Sequence, residues 1–408
     1  MPSRPLQEQL QIICSGTVEV LPEGELERKL ARRLAEKKPL RVKQGFDPTA
    51  PDIHLGHTVG LRKLKQFQEL GHQIVLIIGD YTGMVGDPSG RSATRPQLSE
   101  AEVRANAETY QKQFFKILDR SKTEVRYNGE WFAKMSFAEI MHLASRMTVA
   151  RMLERDDFEK RYRAGEPISI HEMFYPLMQA YDSVAIGADV EIGATEQKFN
   201  LLTGRQIQTD YGVEPQAILT VPVLVGTDGV QRMSKSIGNY IGVDEPPAEM
   251  FGKTMSVPDA QIAPYFELVT DAPPERVAEV KRLLNSGTVN PRDLKLELAE
   301  TLVRIYHGAE AGRAAREGFV RQFSERRAPE KIETVPVSVP GDYVPVAQIL
   351  VDTDTAASLS EAKRKIAQGG VRIDGNPFTN PQGMVSTAQP FVLNVGKRYY
   401  KRIQFVRT

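Results

Sequence analysis

The alternation of short apolar runs with amphipathic stretches is the feature that most limits how this chain can fold. An apolar run at 40–42 precedes a helical pattern over 56–70, and a second apolar run follows at 74–78. Further strand-like runs occur at 190–192 and 218–221. A strand, a helix and a strand in this order predict a βαβ unit with parallel strands. The sequence therefore predicts an α/β fold built on a doubly wound parallel sheet, which binds ligands at the ends of its strands.

The 408 residues are enough for two or three domains. We predict a Rossmann-like domain at 1–245 with a helical insertion near 100–185, and an all-helical domain at 246–323. Prolines among alternating valines predict a linker at 324–341. A compact α+β module is predicted at 342–408. There Ser358 and Glu361 fit a capping box at a helix start, and strand segments are divided by Asp374-Gly375 and by Gly396.

Charge and cysteine content exclude several classes of protein. Lys and Arg total 53 and Asp and Glu total 52, so any affinity for nucleic acid has to come from local patches. The single Cys14 cannot form an internal disulfide, and the absence of clustered Cys and His argues against a metal site. No apolar run has signal-peptide or membrane-span length. We therefore expect a cytoplasmic protein with no membrane partner.

The first chemical motif is His54-Leu55-Gly56-His57, at the start of the predicted helix that follows the first strand. Amides at a helix N-terminus attract phosphate, and a glycine lets a ligand approach closely. Two imidazoles can also donate to phosphate oxygens. The motif predicts a nucleotide site, although the two histidines could instead simply cap the helix.

The second motif is Arg232-Met233-Ser234-Lys235-Ser236, beyond the run at 218–221 in a segment rich in turn residues. A mobile cationic loop can meet the charge that develops on pyrophosphate in a transition state. By itself the segment could be a solvated basic loop. The two motifs, in this order and on these elements, resemble the paired signatures of class I aminoacyl-tRNA synthetases.

A row of polar residues, Tyr175, Gln179 and Asp182, has spacings of four and three inside an apolar segment. On a helix these residues share one face. A buried carboxylate and amide can bind the ammonium and phenol groups of tyrosine, and a site that bonds a hydroxyl rejects phenylalanine strongly. The alternative interpretation is an exposed polar face.

Four segments make the resemblance more specific. The polar row occurs together with Asp47-Pro48-Thr49, Gly86-Asp87-Pro88-Ser89-Gly90 and Gly193-Ala194-Thr195-Glu196-Gln197. This combination resembles the bacterial tyrosyl-tRNA synthetases over nearly the whole chain. The resemblance implies a catalytic domain at 1–245, an anticodon-side helical domain at 246–323 and a homodimer with the insertion at its interface.

The resemblance also implies a role for each matching residue. Around tyrosine, Asp182 would contact the hydroxyl, with the other groups at its ammonium and carboxyl end: Asp47, Asp87, Tyr175, Gln179 and Gln197. The phosphates of ATP would meet Thr49, His54, Arg91, Arg95, Arg232, Ser234 and Lys235. His57 and Gly56 would support the ATP side, Leu224 and Val225 would hold adenine, and Glu196 would hold the ribose hydroxyls.

Four positions depart from that family. Arg232 stands where a lysine is usual, and Ala194 and Glu196 stand where glycine and aspartate are common. Lys43 occupies a position that is often tyrosine, so it would bring a charge close to the phenol of the substrate. Arg232 keeps its charge but loses the compact ammonium geometry.

The C-terminal module carries nine basic against five acidic residues, an excess of four positive charges. Such an excess suits contact with a phosphate backbone, although a solvated charged face is the alternative. The segments 358–362 and 369–375 resemble a small RNA-binding module that often ends the bacterial tyrosyl enzymes. The RNA-binding residues predicted in this way are Lys363, Arg364, Lys365, Arg372, Lys397 and Arg398.

The sequence therefore predicts a ligase that activates L-tyrosine with ATP, together with Mg²⁺, and transfers tyrosine to tRNA(Tyr). No tightly bound cofactor is expected. Three alternatives remain at this point: a tryptophanyl-tRNA synthetase, a small-molecule nucleotidylyltransferase, and a non-enzymatic RNA-binding or splicing-accessory protein on a synthetase scaffold.

Overall fold

The structure of the protein is a computed structural model that describes residues 4–48, 52–86, 99–323, 332–396 and 399–407. The chain divides into two compact units, Met1–Gly312 and Arg313–Thr408. Each unit has its own sheet. Within the described ranges, no helix combines the length and the apolar character needed to cross a membrane.

A six-stranded sheet forms the centre of the first unit. Its strands are β1 (Glu19–Leu21), β2 (Arg41–Phe46), β3 (Gln73–Ile78), β4 (Thr123–Tyr127), β5 (Val190–Ala194) and β6 (Ala217–Val221). The order across the sheet is β1-β6-β5-β2-β3-β4, in which β1 is antiparallel and the other strands are parallel. The predicted α/β class with a parallel sheet is confirmed.

The topology determines where a ligand can bind. The chain runs outward from β2 through β3 to β4 and then returns to β5 on the other side of β2. Connections therefore leave the carboxyl ends of β2 and β5 toward opposite sides of the sheet, which opens a crevice between them. Strands β3 and β6 are buried almost throughout, as expected for parallel strands covered on both faces.

The first unit also contains helices, the last of which begins at Ala309 and continues into the second unit. They are α1 (Leu6–Cys14), α2 (Glu25–Glu36), α3 (Leu55–Glu69), α4 (Thr82–Val85), α5 (Glu100–Phe114), α6 (Gly129–Phe132), α7 (Phe137–Ala144), α8 (Val149–Met152), α9 (Asp156–Ala164), α10 (Ile170–Ile186), α11 (Lys198–Asp210), α12 (Pro247–Ser256), α13 (Ile262–Val269), α14 (Pro274–Ser286), α15 (Pro291–His307) and α16 (Ala309–Phe323). Single 3-10 turns lie at Arg120–Lys122, Thr195–Gln197 and Asp259–Gln261.

The predicted helical insertion near 100–185 contains α5 to α10, but it also contains β4. Strand β4 pairs with β3 at the edge of the sheet, and each of its residues is half-buried. Its charged residues Glu124 and Arg126 alternate with Val125 and Tyr127, so the segment lacks the apolar run that marks the inner strands. The prediction of a helical insertion near 100–185 did not include this strand.

The second unit packs two helices against a small sheet. Its elements are β7 (Glu333–Val339), β8 (Tyr343–Pro345), α17 (Val346–Asp352), α18 (Leu359–Ala367), β9 (Val371–Ile373), β10 (Asn376–Pro377), β11 (Met384–Ser386), β12 (Phe391–Val395) and β13 (Tyr399–Arg407). One sheet has the order β10-β9-β12-β13-β7, and β8 pairs with β11. Ile349, Leu350, Ile366, Leu393 and Ile403 are fully buried in its core.

Part of the predicted linker at 324–341 is a strand. Residues 324–331 lie outside the described residues, but β7 pairs in parallel with β13 over its whole length. Val337 and Val339 are buried, and Pro336 is accommodated because β7 is an edge strand. The linker prediction was wrong for 333–339, whereas the division into three domains stays a prediction.

Candidate active site

A cleft opens at the carboxyl ends of β2 and β5, beside α10. Five of the six residues predicted to bind tyrosine line this cleft: Asp47, Tyr175, Gln179, Asp182 and Gln197. The sixth, Asp87, lies outside the described residues. The crevice expected from the strand order and the tyrosine-binding residues predicted from the sequence therefore lie at the same cleft.

Helix α10 supplies the predicted polar row. Tyr175, Gln179 and Asp182 lie on its buried face, with exposed fractions of 6%, 9% and 3%, so the interpretation as an exposed face was wrong. The Tyr175 hydroxyl donates to Asp47 Oδ2 at 2.7 Å, and the Thr82 hydroxyl donates to Asp47 Oδ1 at 2.7 Å. The row and the end of β2 are thus joined by hydrogen bonds across the cleft.

Asp182 is the most buried carboxylate in the cleft. Trp131 Nε1 donates to its Oδ1 at 3.0 Å, and Asn128 Nδ2 approaches its Oδ2 at 3.4 Å. Burial raises the pKa of Asp182 to about 7, and the positive charge of Lys43 and these two donors partly oppose the rise. Sequence reasoning missed Trp131 and Asn128, because they follow the strand β4 that it did not predict.

Lys43 does not present its ammonium to the cleft as the sequence led us to expect. It is fully buried and forms an ion pair with Glu191, with Nζ 3.0 Å from Oε1. The same ammonium donates to the Gln179 carbonyl oxygen and to the Ser183 hydroxyl, both at 2.8 Å. The charge is neutralised within the protein, and no sequence pattern indicated Glu191 as its partner.

The first motif forms the N-terminus of α3. The Gly56 amide donates to His54 Nδ1, and the His54 amide donates to His57 Nδ1, both at 3.2 Å. Burial lowers the pKa of His54 to about 2, with smaller contributions from His57 and Lys235. His54 is therefore a neutral ring whose hydrogen is on Nε2. The two histidines cap α3, as in the alternative interpretation of this motif. In addition, His54 keeps Nε2–H as a hydrogen-bond donor for an anion.

The second motif lies on a hairpin that contacts the first. The Met233 amide donates to the Leu224 carbonyl at 2.8 Å, and Val225 bridges to Arg232. Lys235 Nζ donates to the Asp52 carbonyl oxygen at 2.5 Å, two residues before His54. Burial lowers the pKa of Lys235. The two motifs, which are far apart in the sequence, therefore meet at one end of α3.

Asn239 holds this hairpin together, and the sequence analysis did not single it out. Its Oδ1 accepts from the Ser234 amide at 2.8 Å, while its Nδ2 donates to the Arg232 carbonyl at 3.0 Å and to Asp228 Oδ2 at 2.9 Å. Asn239 thereby holds the backbone of the cationic segment at Arg232 and at Ser234.

Two of the departures from the family pattern contact each other. Arg232 Nη1 lies 2.6 Å from Glu196 Oε1 and 3.0 Å from Oε2, and both side chains are about one third exposed. Arg232, which is predicted to bind pyrophosphate, thus lies next to Glu196, which is predicted to bind the ribose.

The remaining predicted residues are only partly described. Thr49, Arg91, Arg95, Lys397 and Arg398 lie outside the described residues. In the second unit, the described RNA-binding candidates are on α18 and β9: Lys363, Arg364 and Arg372 are exposed, and Lys365 is half-buried.

Comparison with known proteins identifies the family. The profile described as "tRNA synthetases class I (W and Y)" matches residues 35–324. The chain belongs to this family. Within it, the chain is 53% identical to a tyrosine–tRNA ligase of Moorella thermoacetica, over 97% of this chain and 95% of that protein. It is 52% identical to the tyrosine–tRNA ligase of Carboxydothermus hydrogenoformans, over 99% of this chain and 100% of that protein. The predicted resemblance to bacterial tyrosyl-tRNA synthetases is confirmed.

Solved structures of class I synthetases agree with the fold. A tyrosyl-tRNA synthetase from Archaeoglobus fulgidus, complexed with L-tyrosine, is 25% identical with a TM-score of 0.62, and the match covers 76% of this chain and all of that one. A C-terminally truncated mitochondrial tyrosyl-tRNA synthetase from Aspergillus nidulans is 22% identical with a TM-score of 0.62, over 77% and 93%. The second match supports the fold only.

Gly79, at the end of β3, is a position where a side chain would disturb the synthetase cleft. A Cβ at this position would overlap Asp47 Oδ1 and Thr82 Oγ1. We therefore expect Gly79→Ala to displace Asp47 and to weaken tyrosine binding at least tenfold, as measured by titration calorimetry, because overpacking forces neighbours to move. Gly252→Ala is the matched control, since a Cβ there meets nothing within 4 Å. Equal tyrosine affinities for the two variants would contradict this expectation.

Proposed function

We propose that the chain activates L-tyrosine with ATP and transfers it to tRNA(Tyr). Two observations carry the proposal: the row of Tyr175, Gln179 and Asp182 lines one cleft, and the two motifs predicted to bind phosphate meet at the end of α3. The proposal also agrees with the names of the bacterial relatives that match nearly the full chain.

The cleft suits a phenol at one end and an amino-acid backbone at the other. Asp182 accepts the phenol hydrogen, because an ionised carboxylate is a strong acceptor. Tyr175, Gln179 and Asp87 surround the ammonium group, with Asp47 held beside them by the Tyr175 hydroxyl. Gln197 faces the carboxyl end of the substrate.

Activation requires no covalent enzyme intermediate. A carboxylate oxygen of tyrosine attacks the α-phosphorus of ATP, the bond from this phosphorus to the bridging oxygen breaks, and pyrophosphate leaves. Mg²⁺ would enter bound to ATP, as part of the substrate. His54 Nε2–H, Lys235 and Arg232 stabilise the charge on the departing oxygens, together with Thr49, Arg91 and Arg95. Ser234 and the donor His57 complete the phosphate side.

The nucleoside of ATP lies between the two motifs in this proposal. Leu224 and Val225 hold the adenine, and Glu196 holds the ribose hydroxyls. Gly56 leaves room for the His54 ring, because a Cβ there would lie 2.9 Å from His54 Cε1. Glu196 has to exchange at least part of its bond with Arg232 for the ribose.

Transfer completes the reaction. A hydroxyl at the 3′ end of tRNA attacks the carbonyl carbon of tyrosyl-adenylate, and AMP leaves. The basic residues of the C-terminal module contact the phosphate backbone, so tRNA binding weakens as salt concentration rises. We propose the cytoplasm as the location of the enzyme, because ATP and tRNA are both available there.

The proposed function is tested by aminoacylation of two tRNA transcripts, tRNA(Tyr) and tRNA(Trp), each with tyrosine and with tryptophan. We expect product only from tyrosine with tRNA(Tyr). Charging of tRNA(Trp) with tryptophan would replace the proposal by the tryptophanyl alternative, and no charging of either tRNA would favour an RNA-binding protein without synthetase activity.

We also propose a homodimer with the insertion at its interface. Large apolar side chains on the insertion are strongly exposed in the single chain: Phe137, Met141, Val149, Tyr162 and Ile170. Such side chains are typical of an interaction surface.

The variant Phe137→Lys/Ile170→Lys tests the dimer, because it places charges at the two most exposed of these positions. We expect light scattering to give roughly twice the 45.6 kDa chain mass for the wild type and a single chain mass for the variant. Val18→Lys is the control, because Val18 is exposed but lies outside the insertion. A dimeric double variant, or a monomeric wild type, would contradict the proposed interface.

A further inference from the structure

A buried ion pair lies beneath the cleft, between the two central strands. Lys43 of β2 and Glu191 of β5 are register partners in the parallel ladder, and their side chains are 0% and 1% exposed. Two apolar side chains of similar volume in such a place are often no less stable than a buried ion pair. A contribution to folding stability is therefore not a sufficient reason for a buried Lys43–Glu191 pair. The contacts of the two side chains indicate a different role.

The contacts of the pair are concentrated on one turn of α10. Lys43 Nζ donates to the Gln179 carbonyl and to the Ser183 hydroxyl, both at 2.8 Å. Glu191 Oε1 accepts from Gln179 Nε2 at 3.0 Å, and its Oε2 accepts from the Ser183 hydroxyl at 3.2 Å and from Gln216 Nε2. Residues 179 and 183 flank Asp182, so the pair holds the turn that carries this carboxylate.

The same two charges act on Asp182 in opposite directions. Burial is the largest influence and raises the pKa of Asp182 to about 7, while Lys43 lowers this pKa and Glu191 raises it. The other elements around the carboxylate contribute the donors Trp131 and Asn128, and Asp47 lies beyond them through Thr82. Lys43 and Glu191, on neighbouring strands, thus shift the pKa of Asp182 in opposite directions.

We propose that Lys43 and Glu191 are positioning residues for tyrosine recognition, which hold the Asp182 turn and set the charge of the carboxylate that receives the substrate phenol. This inference rests on the proposed function of the cleft. An ionised carboxylate accepts a phenol hydrogen better than a protonated one. Tyrosine affinity is therefore coupled to the ionisation of Asp182, and it falls about tenfold for each pH unit below about 7.

The experiment measures the tyrosine Kd by titration calorimetry between about pH 5.5 and 8.5. Three variants are compared with the wild type: Lys43→Met, Glu191→Gln and the combination of both. Removing the cation moves the pH midpoint of binding upward by about one unit, since an opposite charge within a few ångströms shifts a pKa by this order. Removing the anion moves the midpoint downward, and the double variant returns it close to the wild-type value.

Opposite shifts separate this role from a merely structural one. If the pair only supports packing, the variants lose tyrosine affinity while the pH midpoint of binding stays the same, and this result overturns the inference. Midpoint shifts in the same direction for Lys43→Met and Glu191→Gln also overturn it. Where Lys43→Met does not fold, the downward shift in Glu191→Gln and its reversal in the double variant carry the same test. Glu172→Gln is the matched control, because Glu172 belongs to another buried pair of α10, with Arg161. Glu172 lies about 15 Å along the helix from Asp182. We therefore expect the pH midpoint of tyrosine binding in Glu172→Gln to equal that of the wild type.

The outcome for the wild type separates this inference from the proposed function. A wild type that does not bind tyrosine overturns both. A wild type that binds tyrosine with no pH dependence between about 5.5 and 8.5 leaves the proposed function standing and overturns only the role assigned to the pair.

Discussion

Lys235→Met is expected to lower the rate of tyrosine-dependent ATP–pyrophosphate exchange about 10²- to 10³-fold while leaving the tyrosine Kd nearly unchanged. The ammonium lies on the hairpin of the second motif and bonds to the Asp52 carbonyl beside the first motif. In the mechanism that we propose, it meets the pyrophosphate oxygens, whose negative charge grows as the bond to the α-phosphorus breaks. Methionine keeps the length of the side chain and removes the charge.

The kinetic pattern matters more than the size of the loss. An interaction made only in the transition state lowers kcat and kcat/KM equally, whereas a ground-state contact raises KM. Lys281→Met serves as the control, because Lys281 forms an exposed pair with Glu267 on the helical segment. A loss of tyrosine affinity equal to the loss of rate would contradict the role given to Lys235, and His54→Ala should follow the same pattern.

Asp182→Asn is expected to abolish most of the discrimination between tyrosine and phenylalanine. Sites built to bond a hydroxyl reject the analogue that lacks it by about 10⁴ to 10⁵, a range known from tyrosyl-tRNA synthetases themselves. The amide is a weaker acceptor, and its own NH₂ group would face the donors Trp131 and Asn128, which now point at the carboxylate. The kcat/KM for tyrosine should fall at least 10²-fold.

Phenylalanine provides the internal control for this variant. It has no hydroxyl, so its slow activation should change little when Asp182 becomes asparagine, and an unchanged rate also shows that the variant is folded. Exchange is measured with both amino acids at saturating ATP. A parallel loss for tyrosine and phenylalanine would mean that Asp182 supports the fold of the cleft rather than the recognition of the phenol.

Local patterns were sufficient for the elements that carry the site. The strand at 73–78 contains a continuous apolar run at 74–78, and the helix at 55–69 begins at a motif whose residues cap it, so both could be predicted within a residue or two. The row of Tyr175, Gln179 and Asp182 was predictable because helical periodicity alone brings these positions to one face.

Contacts between distant segments could not be predicted in the same way. Lys43 and Glu191 are far apart in the sequence and become partners only because β2 and β5 pair in register. Trp131 reaches Asp182 from α6, which follows β4, and β4 is an edge strand that lacks the apolar run of the inner strands. The strand at 333–339 lies in the predicted linker because its prolines are unsuited to a packed helix, whereas an edge strand tolerates Pro336.

The central claim is that this cleft selects tyrosine for activation by ATP. The most direct measurement is ATP–pyrophosphate exchange with each of the twenty amino acids in turn, at equal concentrations. We predict exchange with tyrosine at a rate at least 10⁴-fold above that with phenylalanine, and none with tryptophan above the background. Exchange driven by tryptophan, or no exchange with tyrosine, would contradict the claim.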